Sequence, residues 1–411
     1  MRIVKVTASS LHIIGVYMHN PNARGRFRSM SDLRVREKGA DQSINLREFL
    51  NHHSHMHAKT GTYHNNESRT NVYKGIRIAE KLGEGSTGVA YQAFYRNVDG
   101  QYKQCVVKLP VRLLNSNQIQ LGDHKNGKII IIEETPKGHE YEYAREELDY
   151  EWKNNLQLHF GKNMEKYGMG TKEWSISDKE LKSVIDESKK LKQINGYDNI
   201  HKIQSADLEV PLLISEYFDG TVEDFSKMLE KLEYKTQMKQ IFEFIIPQTL
   251  AGLHFMHSKN VQLAHMDIKP ANMLYKFAQG RPHPLVVLCD FGLCQPSEDP
   301  VKECMGTPYF RAPEIVSNET SLYIPKYTDA YSWAVSMLYL FYPHAMYDWP
   351  KSLVNHLLLQ VSKTPPLLFN DPKRETVFQN ILDIIQAESP PKRYRLFEDT
   401  YNIYFREEKQ F

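Results

Sequence analysis

The stretch His265–Gly292 constrains this chain more than any other. It sets His265, Asp267, Lys269 and Asn272 in one short run and, after the apolar residues Leu285–Leu288, adds Asp290-Phe291-Gly292. Two acids and an amide brought to one place suit phosphoryl transfer. One acid orients an attacking hydroxyl and accepts its proton, while the other acid and the amide oxygen hold Mg²⁺ against nucleotide phosphates. An isolated Asp-Phe-Gly carries little information; the same tripeptide after H-x-D-x-K-x-x-N is specific.

Upstream, YKGIRIAEKLGEGSTGVAYQAFY reads as strand, glycine turn, strand, with Gly83, Gly85 and Gly88 forming G-x-G-x-x-G. In a dinucleotide-binding unit the third glycine opens a helix, and an acid follows about 20 residues later. Here Val89-Ala90-Tyr91 continues as a strand, which predicts a hairpin flap whose backbone approaches phosphates. The next strand runs through Cys105-Val106-Val107 to Lys108. A lysine at the end of an apolar run is costly to bury unless it meets anions. Val210–Phe218 reads as a buried strand leading into a linker, and residues 238–257 as a strongly apolar helix beneath the Asp267 loop.

These motifs, in this order, resemble the eukaryotic-type serine/threonine protein kinases over roughly residues 73–396. The resemblance implies an α+β, two-lobed fold: a small lobe (73–214) on an antiparallel sheet, a mainly helical lobe (219–396), and ATP with Mg²⁺ in the cleft. It further implies Asp267 as catalytic base, Lys269 steadying the transferred phosphoryl group, and Asn272 and Asp290 as metal ligands. The three glycines, Ala90, Val106, Lys108, Leu274 and the hinge residues Glu216 to Phe218 would hold the nucleotide, with a small Ser215 at the back pocket. GTPYFRAPE (Gly306–Glu314) is similar to the loop that docks protein substrates; Thr307 there would bond Asp267 and Lys269, and Glu314 would pair with Arg393. Asp329 would anchor the catalytic loop, and His265 would hold that loop to neighbouring backbone. Lys269 two residues after Asp267 favours Ser or Thr hydroxyls as acceptors.

Two departures stand out. Residues 112–175 read as an insertion, so the helix-borne glutamate that pairs with Lys108 is not marked. Glu187 is the first choice, in a helix started by Ser177 or Asp178 with Leu181, Val184, Ile185, Leu191 and Ile194 at helical spacing; Glu147, in the charged run Glu140–Leu158, is the alternative. The second departure is Met266, where the family commonly has an arginine that grips a phosphate on the activation segment. Methionine makes no charge-assisted hydrogen bond. From Leu293 to Met305 only Ser297 offers a hydroxyl, and Glu303 stands near the usual phosphoresidue. Activity without activation-segment phosphorylation is the expectation.

Composition excludes several other classes. Net charge is +2, which gives no general attraction to nucleic acid or acidic membranes, although residues 1–70 hold eleven Lys/Arg against five Asp/Glu, with a knot at Arg24, Arg26 and Arg28. This basic extension reads as a solvated arm, and its His52–His57 tract, without acids or cysteines, as incidental. Residues 44–50 suggest a short helix. Four cysteines without a C-x-x-C pair suggest neither a disulfide framework nor a zinc site, and a reducing, cytoplasmic setting is the expectation. No apolar run is long enough to span a membrane. Besides a protein substrate, the 112–175 insertion and the arm are places for a regulatory partner. The chain's unfamiliar insertion is compatible with a bacterial effector kinase delivered into a host cytosol. Rival readings are a kinase-like binding module without activity, a small-molecule phosphotransferase, or another chemistry on the same fold; the intact Gly306–Glu314 loop counts against the second.

Overall fold

Val89, Tyr91, Ala93, Cys105 and Val107 are the most buried side chains of their strands and follow the two-residue period of a pleated strand. The computed structural model of the chain describes residues 34–35, 44–45, 76–84, 89–96, 101–109, 139–162, 182, 186, 188–207, 212–229, 234–277, 283–316, 322–343, 353–366 and 371–406. Gly85, Gly88, Glu187, Arg24, Arg26, Arg28, Ser177, Asp178, the His52–His57 tract and the sequence extremes lie outside the described residues. β1 (Ile76–Glu84), β2 (Val89–Arg96), β3 (Tyr102–Leu109), β4 (Ile203–Asp207) and β5 (Leu212–Glu216) form one antiparallel sheet in the order β1-β2-β3-β5-β4. Val89, Tyr91, Ala93, Cys105 and Val107 are buried along one face. Ala90 pairs with Lys108 and Val106 with Ser215, so these four occupy the other face.

α1 (His139–Phe160) crosses behind this sheet. Its sequence has no glycine or proline and is rich in Glu, with three Leu; Gly161 ends it at φ 82°, the left-handed stop that costs glycine least. Trp152 packs on Ile203 and Leu213 of the sheet. The helix falls within the stretch read from sequence as an insertion. In place of the short helix expected over 44–50, Ile44–Asn45 is a strand paired with Arg34–Val35.

Helical residues 188–192 and a 3-10 turn at Tyr197–Asn199 lead back to the sheet, with Leu191 fully buried. β6 (Gly220–Thr221) and α2 (Val222–Leu229) open the helical lobe. α3 (Tyr234–Gln240), a π-turn at Ile241–Ile245 and α4 (Ile246–His257) then form one continuous helical run. Pro247 explains the π-turn: it lacks an N–H and its ring would clash with the carbonyl of residue 243 in α register. β7 (Leu263–Ala264), β8 (Met273–Lys276), β9 (Leu285–Leu288) and β10 (Gln295–Pro296) follow, then α5 (Pro313–Val316) and α6 (Pro325–Phe341). α6 is buried almost all round, as befits the central helix of a lobe. Packed around it are α7 (Leu353–Lys363), α8 (Pro372–Gln386) and α9 (Pro390–Phe405), with Trp333 of α6 edge-on to Phe397 of α9 at 5.5 Å. Among the described residues no helix is long and apolar enough to cross a membrane.

The two lobes meet where Gly196, at φ 98°, passes α4. A Cβ there would lie 1.8 Å from the Ala251 carbonyl oxygen, so neither the backbone angle nor the space admits a side chain. Gly196→Ala should therefore lower stability by about 1–3 kcal/mol or more. An unchanged midpoint in chemical denaturation would contradict this packing.

Candidate active site

The Asp329 carboxylate, on α6 and 1% exposed, fixes the loop that follows β7. It accepts the backbone N–H groups of His265 at 2.6 Å and Met266 at 2.8 Å, and lies 2.9 Å from His257 Nε2. Met266 is thereby held at φ 70°, a left-handed conformation uncommon outside glycine. The His265 ring, fully buried, donates through Nε2 to the Cys289 carbonyl at 2.8 Å. The catalytic-type loop is thus tied to the strand that ends in Asp290.

Asp267, Lys269, Asn272 and Thr307 meet as one polar group. Lys269 Nζ donates to Asp267 Oδ2 and to Thr307 Oγ1, both at 2.7 Å. Thr307 donates to Asp267 Oδ1 from its backbone N–H and its hydroxyl, each at 2.7 Å. Asn272 Nδ2 donates to Asp267 Oδ2 at 2.9 Å. Burial by itself would raise the Asp267 carboxyl, but the bonds from Lys269 and Thr307 and the Lys269 charge outweigh it and hold the group below the usual carboxylate range. Thr307 reaches this position because Gly306, at φ 84°, runs so close to the loop that a Cβ would sit 2.4 Å from the Met266 carbonyl oxygen.

Across the cleft, Lys108 Nζ lies 2.8 Å from Glu151 and 2.8 Å from Asp290. Burial would lower the lysine, but the two carboxylates, Asp290 foremost, more than reverse it and keep it charged. For Asp290, burial is outweighed by the Lys108 charge and hydrogen bond, and its carboxyl is held low. Among the described residues the helix-borne partner of Lys108 is Glu151 of α1, where the sequence expectation named Glu187, which lies outside the described residues, or Glu147, one turn earlier on the same helix. The signal was present but unusual. Glu151, Asn154, Asn155 and Leu158 are all buried at the i, i+3, i+4, i+7 spacing of one helix face, yet three of the four are polar.

Of the expected nucleotide residues, Ala90, Val106 and Lys108 share one face of the sheet, and Leu274 stands on β8 opposite Val287. Gly83 lies at the end of β1 paired with Ala90; Gly85 and Gly88 are outside the described residues. Ser215 is buried, and the exposed Glu216 accepts a 2.7 Å bond from Lys276. His201, which the sequence reading did not single out, donates to the Glu216 carbonyl at 3.1 Å and meets the buried Phe218 edge-on at 5.2 Å. Glu314 pairs with Arg393, which is 3% exposed.

Asn272 precedes β8 and Asp290 follows β9, and the antiparallel register Met273↔Leu288 brings both to one end of that hairpin. The Asn272 Oδ1 and Asp290 Oδ2 atoms have no hydrogen-bond donor among the described residues, and hard oxygen donors are what Mg²⁺ requires. No cluster of three or more His, Cys, Asp or Glu side chains suited to a metal occurs among the described residues, so a metal here would take its remaining ligands from phosphates and water.

The protein kinase domain model matches residues 162–394, more than half of the 411-residue chain. The chain belongs to the protein kinase family. The matched region holds β4, β5, the Asp267 loop, Asp290 and the Gly306–Glu314 segment; β1–β3 and α1 precede it, and the kinase-type pairing of Lys108 rests on the fold. Similar curated proteins include a probable serine/threonine-protein kinase pXi of Dictyostelium discoideum, 35% identical over 33% of this chain, and death-associated protein kinase 2 of Homo sapiens, 31% identical over 34%. Serine/threonine-protein kinase D2 of Rattus norvegicus is 34% identical over 23%. The aligned stretch spans 20%, 35% and 11% of those three relatives.

Glu151→Gln removes one of two anions from a mostly buried lysine. It should cost about 1.5–3 kcal/mol, the size of a hydrogen bond to a charged group. Glu187→Gln should fall within about 0.5 kcal/mol. Equal losses in urea denaturation would contradict the assignment of Glu151.

Proposed function

We propose that the chain is a protein kinase acting on serine or threonine hydroxyls, and that it works without phosphate on its activation segment. The observation that carries the reading is the Asp267 carboxylate, ionised and fixed by Lys269, Thr307 and Asn272. An acid held this way orients a hydroxyl through its oxygens and takes the proton as the oxygen attacks. Lys269, within 2.7 Å of that acid, adds positive charge where the transferred group passes. Lys108, kept charged between Glu151 and Asp290, grips nucleotide phosphate, and Asn272 with Asp290 would hold Mg²⁺. The metal, when bound, neutralises phosphate charge as it builds in the transition state. A serine or threonine acceptor is supported by Lys269 and by the serine/threonine kinases among the similar proteins. A protein acceptor is supported by the Gly306–Glu314 loop, where Tyr309 is half exposed and Val316 lies just beyond.

Independence from phosphate rests on how the activation segment is held. Met266 is buried with Ala264, Ile315 and Tyr323, and Leu293, Val301 and Met305 of the segment pack against that cluster. Val301 and Tyr323 exchange backbone hydrogen bonds at 2.9 Å, and the Tyr323 hydroxyl donates to the Glu303 carbonyl. Ser297, whose hydroxyl is the only one between Leu293 and Met305, is fully buried. Apolar contact stands where a guanidinium–phosphate pair would otherwise be needed.

With γ-labelled ATP, Mg²⁺ and a generic protein substrate, the wild type should transfer label. Asp267→Asn should lower kcat by about 10²–10⁴-fold, and Asp290→Ala should be at least as damaging. ATP binding without transfer by the wild type would favour a binding module, and label on free alcohols but not on protein a small-molecule phosphotransferase.

A further inference from the structure

α1 touches the Asp290 turn at three points, and only one of them is the Lys108 ion pair. Asp290 lies at φ 67°, a left-handed conformation that aspartate tolerates better than most residues. A 3-10 turn at Phe291–Leu293 follows, and the carbonyls at its two ends reach α1. Asn154 Nδ2 donates to the Phe291 carbonyl at 2.8 Å in a buried setting. The turn's own bond to that carbonyl, from the Cys294 N–H, is longer at 3.3 Å. The Tyr150 hydroxyl donates to the Cys294 carbonyl at 2.8 Å and accepts from Gln295 Nε2 at 3.3 Å.

Tyr150 and Asn154 are one helical turn apart on the same face, with Glu151 beside them. Residues 150, 151 and 154 thus meet the segment 290–295 as a single edge. The helix is itself pinned. Asn155, fully buried, donates to the His201 carbonyl and accepts from the Ile203 N–H, each at 3.2 Å, and Gln157 donates to the Val261 carbonyl at 2.7 Å.

We propose that Tyr150 and Asn154 are positioning residues that clamp the Asp290 turn in its metal-binding shape, so that α1 sets the metal site directly and not only through Lys108. The inference rests on the kinase reading for the role of Asp290. It concerns nucleotide-free protein as much as the loaded enzyme.

Tyr150→Phe and Asn154→Leu each delete a donor while keeping the side chain's bulk. Two readouts apply: amide hydrogen exchange over residues 289–296 without nucleotide, and calorimetric ATP binding as a function of Mg²⁺. Exchange in that segment should rise about three- to tenfold, the worth of one hydrogen bond, while α6 stays protected. The Mg²⁺ concentration for half-maximal tightening of ATP should rise by a similar factor, with metal-free ATP binding unchanged. Unaltered exchange at 289–296, or faster exchange throughout the protein including α6, would overturn the clamp. Should Asn154→Leu fail to fold, Tyr150→Phe carries the test, because Tyr150 is 40% exposed and loses only a hydroxyl. Neither readout needs turnover, so a wild type that binds Mg–ATP and transfers nothing would defeat the kinase reading alone.

Discussion

A single buried carboxylate, that of Asp329, holds the arrangement on which everything else depends. An isolated charge at 1% exposure would cost several kcal/mol, and this one is compensated by two backbone N–H groups and His257. Those bonds force the chain through Met266 in a left-handed turn. His265 is thereby directed to Cys289, and Asp267 to Lys269, Thr307 and Asn272. A rigid central helix thus sets the loop, and the loop sets the acid that would accept the proton.

Lys108 forms the second tie, across the lobes. With Glu151 on one side and Asp290 on the other, it fixes the spacing between α1, the sheet and the Asp290 turn. The two ties divide the chemistry. On the proposed reading, Asp329 organises what would face the acceptor hydroxyl, and Lys108 what would face the phosphates.

The parts legible in the sequence were those whose geometry is local. H-x-D-x-K-x-x-N, Asp-Phe-Gly and the Gly306–Glu314 segment each fit within a few residues, so spacing alone carries them. Ala90, Val106 and Lys108 were picked out through the resemblance, and the two-residue period of a strand accounts for their sharing one face of the sheet. Glu151 was not, because hydrophobic periodicity marks helix faces that pack against apolar neighbours, and the inner face of α1 carries Glu151, Asn154 and Asn155. The apolar pattern pointed instead to residues 181–194, where Leu191 and Ile194 do join the core. The π-turn before Pro247, the strand at Ile44–Asn45 and the contact of His201 with the hinge carbonyl were equally invisible, since each depends on a partner distant in sequence or on tertiary strain.

On the proposed reading, Met266 links the anchored loop to regulation. A methionine packed against Leu293, Val301 and Met305 holds the activation segment by burial, and burial is present whether or not a phosphate is added. The most direct measurement is the initial rate of phosphoryl transfer to a protein substrate by enzyme treated with phosphatase and shown by intact mass to carry no phosphate. A rate equal to that of untreated enzyme is the result this mechanism requires. Loss of activity on dephosphorylation, restored when phosphate returns to the segment from Leu293 to Met305, would contradict it.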